Sequence, residues 1–411
     1  MRKAILAGIN LNKSDEDFKV VLEETSELCI ACEIEVIDYC IQKSRSLDPR
    51  TAFRKGKLEE LAEMVIEKEV DCVVFYNNLS ASMLSRIQEE CNIAIIDRTN
   101  LILDIFSLRA KSKEAKLQTH MARLKYDLPK LYLMEVDSDR ERGGREHNKG
   151  AGETKLELRK RDIESQISEI KKQLEALATS NEERSKRRSD TFIKSVALVG
   201  YTNAGKSSLM NLILKYNNKD EDKFVLQKDM LFATLDTSIR SVSYDGQGFL
   251  LFDTVGFVSD LPHELIEAFK STLDAVKDAD LLIHVIDSSD PHYNNQRQIT
   301  YDTLKKIKAD HIPYIEVYNK VDKINDRDSN LRYLSCVSEE GLNSLMQTII
   351  DTLYPKEFSL KVLLPYNKQG MLDKYKNHLK ISSFENNEEG SIIFLNGDKI
   401  MHDAFLPFKE D

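Results

Sequence analysis

Gly200-Tyr-Thr-Asn-Ala-Gly-Lys-Ser207 stands between the apolar run Val196-Ala-Leu-Val199 and the segment Leu209-Met-Asn-Leu-Ile-Leu214. That is a strand, a glycine-rich loop and a helix, the context of a P-loop in an α/β fold. The loop's backbone N–H groups, from Asn203 through Ala204, Gly205, Lys206, Ser207 and Ser208, are placed to cradle phosphate oxygens. Lys206 is expected to reach the β- and γ-phosphates, and the Ser207 hydroxyl to hold Mg²⁺.

Three further segments choose the base and complete the metal site. Asn319-Lys-Val-Asp322 follows the strand-like Tyr314-Ile-Glu-Val-Tyr318. The Asp322 carboxylate can accept from the N1–H and 2-amino groups of guanine, a pair that adenine lacks. Lys320 is expected along the base, and Asn319 is expected to tie this loop to the P-loop. Asp253-Thr-Val-Gly256 ends the run Phe249-Leu-Leu-Phe252, with Asp253 on Mg²⁺ and the Gly256 N–H toward the γ-phosphate. Leu231-Phe-Ala-Thr-Leu-Asp236 offers Thr234 as a switch residue on the same metal. Together these specify a GTPase, with Lys206, Thr234 and Gly256 as the catalytic candidates. Phe257 takes the place where many GTPases carry a glutamine that orients water. Its side chain cannot do so, and slow intrinsic hydrolysis accelerated by a partner is expected.

The chain has 411 residues, of which 41% are hydrophobic, enough for two or three domains with sizeable cores. No apolar run is long enough for a membrane span. Met1-Arg-Lys-Ala-Ile-Leu-Ala-Gly8 gives way at once to Asn10-Leu-Asn-Lys-Ser-Asp15 and reads as a first strand, not a signal peptide. The six cysteines are scattered, and the Cys29/Cys32 pair lies in a helical pattern that reads as core. A cytoplasmic location is expected, with a membrane-associated fraction left open. A net charge of −10 argues against a chain that coats nucleic acid uniformly.

Residues 1–105 alternate short strands (Ala4–Ala7, Ile34–Ile37, Cys72–Phe75, Ile93–Ile96) with helical segments such as Lys57–Ile66 and Ala81–Cys91. This is a small parallel α/β domain. Over 106–178, Leu117, Met121, Leu124 and Leu128 precede Pro129, and Ile163, Ile167, Ile170, Leu174 and Leu177 follow the same kind of seam. Two such stripes should pair as an antiparallel helical hairpin. The basic, glycine-rich stretch Asp137–Gly152 joins them. Arg140, Arg142, Arg145 and Lys149 belong to a basic cluster that reaches Arg161; alone it reads as a solvated helix start. On the tip of a stalk it becomes a probe for phosphate backbone. Residues 179–192 read as a linker and 193–355 as the GTPase domain. A small α+β domain over 356–411 has strands at Leu360–Leu364 and Ser391–Leu395 around a helix over Met371–Leu379.

With these segments in view, the chain resembles the HflX family of ribosome-associated GTPases along nearly its whole length. The resemblance rests on Asp97-Arg-Thr-Asn-Leu-Ile-Leu-Asp-Ile-Phe106, Lys116-Leu-Gln118, Leu128-Pro129, Gly143-Gly144 and Gly152-Glu-Thr-Lys-Leu-Glu157. It rests equally on the P-loop, on Leu231–Asp236 and on Asp253-Thr-Val-Gly-Phe-Val-Ser-Asp-Leu-Pro262. It implies binding of GTP and GDP, contact with the large ribosomal subunit and its RNA, and hydrolysis stimulated there. It also implies splitting or rescue of stalled ribosomes by a chain expected to be monomeric. A GTP-dependent switch that recruits non-ribosomal protein or RNA-modification partners is the alternative. In several related GTPases the position of Asn203 binds K⁺; an asparagine that only shapes the loop is the other reading. The last guanine loop usually reads Ser-Ala-Lys and is here Ser335-Cys336-Val337, so Ser335 and Cys336 keep the backbone contact while the lysine is lost. Thr237 stands where the family usually has proline, Phe53-Arg-Lys-Gly-Lys57 where it has Ile-Gly-x-Gly-Lys, and the hairpin tip is one residue longer. These differences point to a divergent member.

Overall fold

The computed structural model describes residues 1–141, 155–189, 193–217, 238–258, 276–354, 358–375, 378–397 and 399–410. Thr234, Arg142, Arg145 and Lys149 lie outside them, as does the side chain of Arg140. The chain divides into two compact units.

The first unit opens with strands β1 (Arg2–Asn10), β2 (Ile34–Lys43), β3 (Cys72–Phe75) and β4 (Ala94–Asp97). They form a parallel sheet in the order β2-β1-β3-β4. Helices α1 (Asp15–Ala31), α2 (Lys55–Lys68), α3 (Ala81–Cys91) and α4 (Arg98–Arg109) connect and flank it. Every residue of β3 is buried, as a strand covered on both faces requires. Cys29 and Cys32 are buried in α1 and its cap, where loss of solvent raises both thiol pKa values.

Asp97-Arg98 is a structural hub. Asp97 caps α4 by accepting from Asn100 N at 2.8 Å, and it accepts from the Tyr126 hydroxyl at 2.6 Å. Arg98 is buried and donates to Glu24 at 2.7 Å and to Thr25 Oγ1 at 3.0 Å. α4 spans the residue at which the sequence reading ends the first domain.

Helices α5 (Lys113–Glu141) and α6 (Lys155–Ser189) follow. In α6 the covered positions include Ile163, Ile167, Ile170, Leu174 and Leu177, the stripe read from the sequence. In α5 the deepest residues include Ala115, Gln118, Thr119 and Ala122. This face packs toward α3 and α4, which the leucine spacing alone does not reveal. Arg123 adds an ion pair to Asp104 at 2.8 Å. Pro129 lies inside α5, which continues through Leu131-Tyr-Leu-Met134 to residue 141, so the joining segment starts later than expected. The stretch read as a linker is helical through Ser189. It has neither glycine nor proline, and Glu182/Lys186 and Glu183/Arg187 stand at helix-supporting spacing.

The second unit holds a five-stranded sheet of β5 (Lys194–Val199), β6 (Ser238–Tyr244), β7 (Gln247–Asp253), β8 (Leu281–Asp287) and β9 (Tyr314–Asn319). Its order is β6-β7-β5-β8-β9, with β6 antiparallel to β7 and the rest parallel. Helices α7 (Lys206–Tyr216), α8 (Tyr293–Lys306) and α9 (Leu342–Leu353) accompany it. Val196, Leu198, Leu209, Ile213, Leu251, Ile283, Val317 and Met346 share one core.

His284 is buried on β8 beside Glu316, and Arg297 donates to that Glu316. Burial, with help from Arg297 and Lys206, pulls its imidazole down to about 3. The native state thus binds fewer protons than the unfolded chain below the ordinary histidine value, and its stability is lost as pH falls through that window. In urea titrations His284→Asn should shrink the stability difference between about pH 7 and pH 4.5 by about 2 kcal/mol. An unchanged difference would mean that His284 is protonated in the native state.

Beyond the five-stranded sheet, β10 (Phe358–Leu364), β11 (Leu379–Asn386) and β12 (Ser391–Gly397) form an antiparallel sheet in the order β10-β12-β11. Short helices α10 (Gly370–Lys374) and α11 (Lys399–Phe405) cover it. The helix expected over Met371–Leu379 is shorter, because Leu379 begins β11 and pairs with Gly397. Gln247 Nε2 donates to Leu379 O at 2.8 Å and Lys380 pairs with Asp245, so this sheet is fastened to the β6–β7 hairpin. Among the described residues no helix is long and apolar enough to cross a membrane.

Candidate functional site

Four parallel strands end at one edge of the sheet. β5 runs into Gly200, β7 ends at Asp253, β8 at Asp287 and β9 at Asn319. Pairing aligns the ends, with Leu198 beside Asp253 and Asp287 beside Asn319. Ligands of parallel α/β sheets bind at such carboxyl ends.

The loop between β5 and α7 needs its glycines. A Cβ on Gly200 (φ 146°) would lie 2.2 Å from Val285 O, and one on Gly205 (φ 99°) 2.1 Å from Asn319 Nδ2. Gly205 then caps α7, whose first-turn N–H groups lie at the loop. Asn203 is exposed with φ 62°. Lys206 is buried and its Nζ donates to Gly200 O at 3.0 Å and Tyr201 O at 2.7 Å. Burial lowers its pKa to about 8, against the opposing pull of Asp253. Ser207 Oγ donates to Asp253 Oδ2 at 2.7 Å, and the carboxylate is fully buried. A hydroxyl and a carboxylate side by side are hard oxygen donors that suit Mg²⁺.

Asn319 bridges two loops. Its Nδ2 donates to Ala204 O at 3.0 Å, and its Oδ1 accepts from Cys336 N at 3.3 Å. Ser335 Oγ donates to Asp322 Oδ1 at 2.5 Å and accepts from the N–H groups of Val337 and Ser338. Lys320 is held by Asp287 at 2.6 Å. The Cys336 thiol is pushed up to about 12, mainly by burial. Val337 is 83% exposed, where the lost lysine would have stood.

Gly256 and Phe257 lie against the P-loop. A Cβ on Gly256 would meet Thr202 Cγ2 at 2.7 Å and Lys206 Nζ at 3.0 Å. Phe257 N donates to Gly200 O at 3.1 Å, and Thr202 N donates to Phe257 O at 2.8 Å. The Phe257 side chain is only 2% exposed. It occupies core, not a water-facing position, which corrects the reading taken from its place after Gly256. Thr254 Oγ1, on Leu198 O at 2.6 Å, fixes the same segment. Asp287 and Thr202 are site residues that the motifs did not single out. The acidic end of the run Leu281–Asp287 was the available signal for Asp287.

Residues 19–107 match the model of a GTP-binding GTPase N-terminal region, 109–188 that of a GTP-binding GTPase middle region, and 195–320 that of a 50S ribosome-binding GTPase. The GTPase HflX of Alkalihalophilus pseudofirmus is 38% identical over 92% of this chain and 85% of its own. That of Caldanaerobacter subterraneus subsp. tengcongensis is 38% identical over 94% and 89%. Among solved structures, a GTP-binding protein from Sulfolobus solfataricus in complex with GDP is 24% identical over 86% of this chain and 98% of its own, with a TM-score of 0.44. From its P-loop to its first strand, this chain belongs to the HflX family of GTPases.

Proposed function

We propose that the GTPase activity resides at the strand ends described above and is exercised on the large ribosomal subunit, where GTP binding and hydrolysis drive splitting or rescue of stalled ribosomes. The observation that carries the site is Asn319, whose amide joins the phosphate loop at Ala204 to the guanine loop at Cys336. The match to a 50S ribosome-binding GTPase over residues 195–320 supports the partner. In this reading the N–H groups from Asn203 to Ser208 surround the phosphates, and Lys206 turns from loop carbonyls toward the β- and γ-phosphates. Asp322 reads guanine, with Lys320 along the base and Ser335 and Cys336 closing the loop. Ser207 and Asp253, with Thr234, hold Mg²⁺, which supplies charge stabilisation on the transferring phosphoryl group. Gly256 N–H faces the γ-phosphate. Asn203, exposed at the loop's crest, is the candidate K⁺ contact. The division at 1–105, 106–178, 179–192, 193–355 and 356–411 belongs to the same proposal, with the helical course of α6 noted above.

Sedimentation with ribosomes in a non-hydrolysable GTP analogue tests this. The chain should pellet with the large subunit in the analogue and remain in the supernatant with GDP. Failure to pellet in either state favours a switch with non-ribosomal partners. Replacing Arg142, Arg145 and Lys149 with alanine should weaken pelleting more at low salt than at high, and lower the slope of log affinity against log salt by about 2 to 3. Nucleotide affinity without ribosomes should stay unchanged. Wild-type pelleting across the salt series would return this cluster to an ordinary solvated surface.

A further inference from the structure

One buried polar group in the phosphate loop has no part in the roles above. Thr202 is 5% exposed, and its Oγ1 has no hydrogen-bond partner among the described residues. The neighbouring hydroxyls of Ser207, Thr254, Ser288 and Ser335 are each engaged, on Asp253, Leu198 O, Asn319 O and Asp322. Thr202 is also held in place, since its N–H donates to Phe257 O at 2.8 Å. The point that a Cβ on Gly256 would take lies 2.7 Å from Thr202 Cγ2, 2.8 Å from Thr202 Cα and 3.0 Å from Lys206 Nζ. Gly256 is therefore packed directly against Thr202 and close to the Lys206 ammonium.

A buried hydroxyl with no partner is worse than a methyl of the same shape. Valine has that shape, so threonine is favoured here only if its hydroxyl is paired in another state of the protein. The Lys206 ammonium close by favours an anionic partner for that hydroxyl. We propose that the Thr202 hydroxyl donates a hydrogen bond to an oxygen of the terminal phosphate of GTP, and so distinguishes triphosphate from diphosphate. This rests on the reading of the loop as the GTP site. The β-phosphate is served by the N–H groups at the start of α7, whereas Thr202 stands on the Gly256 side of the loop. Its contribution should therefore appear with GTP and be missing with GDP.

The test compares the full-length wild type with Thr202→Val and Thr202→Ser, using GDP and β,γ-imido GTP in equilibrium titrations and GTP in single turnovers. Thr202→Val should keep GDP affinity within about twofold, while its affinity for the imido analogue and its single-turnover rate each fall about tenfold. Thr202→Ser, which retains the hydroxyl, should stay within about threefold of the wild type in each measurement. Thr202→Ala replaces valine if the valine variant has a lowered unfolding midpoint. Equal losses with GDP and the analogue would overturn the proposal, because they would make Thr202 a shaping residue of the loop. Wild-type behaviour of the valine variant would overturn it too. Failure of the wild type to bind either nucleotide would sink the site reading itself, a result distinct from both.

Discussion

Asp322→Asn should lower GTP affinity roughly 100-fold while giving measurable binding of xanthosine triphosphate, because two charge-assisted hydrogen bonds to guanine are replaced. In the proposed base site the carboxylate accepts from guanine N1–H and from its 2-amino group. Xanthine carries a carbonyl in place of that amino group, and the asparagine amide can donate to it. The structure gives a reason for the loop to survive the change. Asp322 Oδ1 accepts from Ser335 Oγ at 2.5 Å, and that hydroxyl's own lone pairs take the N–H groups of Val337 and Ser338. The Ser335 proton therefore points at residue 322, where an asparagine carbonyl oxygen can still receive it. Competition titration with guanine and xanthine nucleotides reads the switch directly. Unchanged GTP affinity would remove Asp322 from the base site. Loss of both nucleotides together with a lower unfolding midpoint would mean that the Ser335 bond, not base recognition, is what the carboxylate supplies.

What could be read from the sequence follows from how local the cause is. β3 and α3 have the ends read from Cys72–Phe75 and Ala81–Cys91, because a short apolar run between polar turns and a capping Ser80 are local signals. The P-loop, Asp253-Thr-Val-Gly256 and Asn319-Lys-Val-Asp322 were legible as motifs because their chemistry needs particular residues at fixed spacing. Features set by tertiary contact were not. The leucine spacing of α5 gives no sign that Ala115, Gln118, Thr119 and Ala122 form its buried face, since small and polar residues are buried there by the packing of α3 and α4. Leu379 fits the apolar spacing of a helix that begins at Met371, yet pairing with β12 claims it for a strand. The ion pair from Lys320 to Asp287 joins residues far apart in the chain, and no periodicity reports it. Arg98 is buried against Glu24 and Thr25 on α1, a contact between distant segments that no local pattern reports.

Phe257 shows the same limit with a larger consequence, and its substitution has a definite expected result. By position it replaces a glutamine that orients water, so Phe257→Gln would be expected to raise intrinsic hydrolysis slightly. In the fold the ring is 2% exposed, and the backbone on either side of it is bonded to Gly200 and Thr202. A glutamine there loses the burial of an aromatic ring and buries an amide in its place. The variant should be destabilised by about 3 kcal/mol, read as a lower urea midpoint at unchanged slope. The bridge between Phe257 and Tyr201 packs Gly256 against Thr202 and Lys206, so loosening it disturbs the phosphate loop as well. Nucleotide affinity should fall with stability, and intrinsic turnover should not rise. A glutamine variant with the wild-type midpoint and a faster intrinsic rate would contradict this. It would mean that residue 257 leaves its pocket when GTP binds, and that the bridge to the P-loop belongs to one nucleotide state and not to the fold itself.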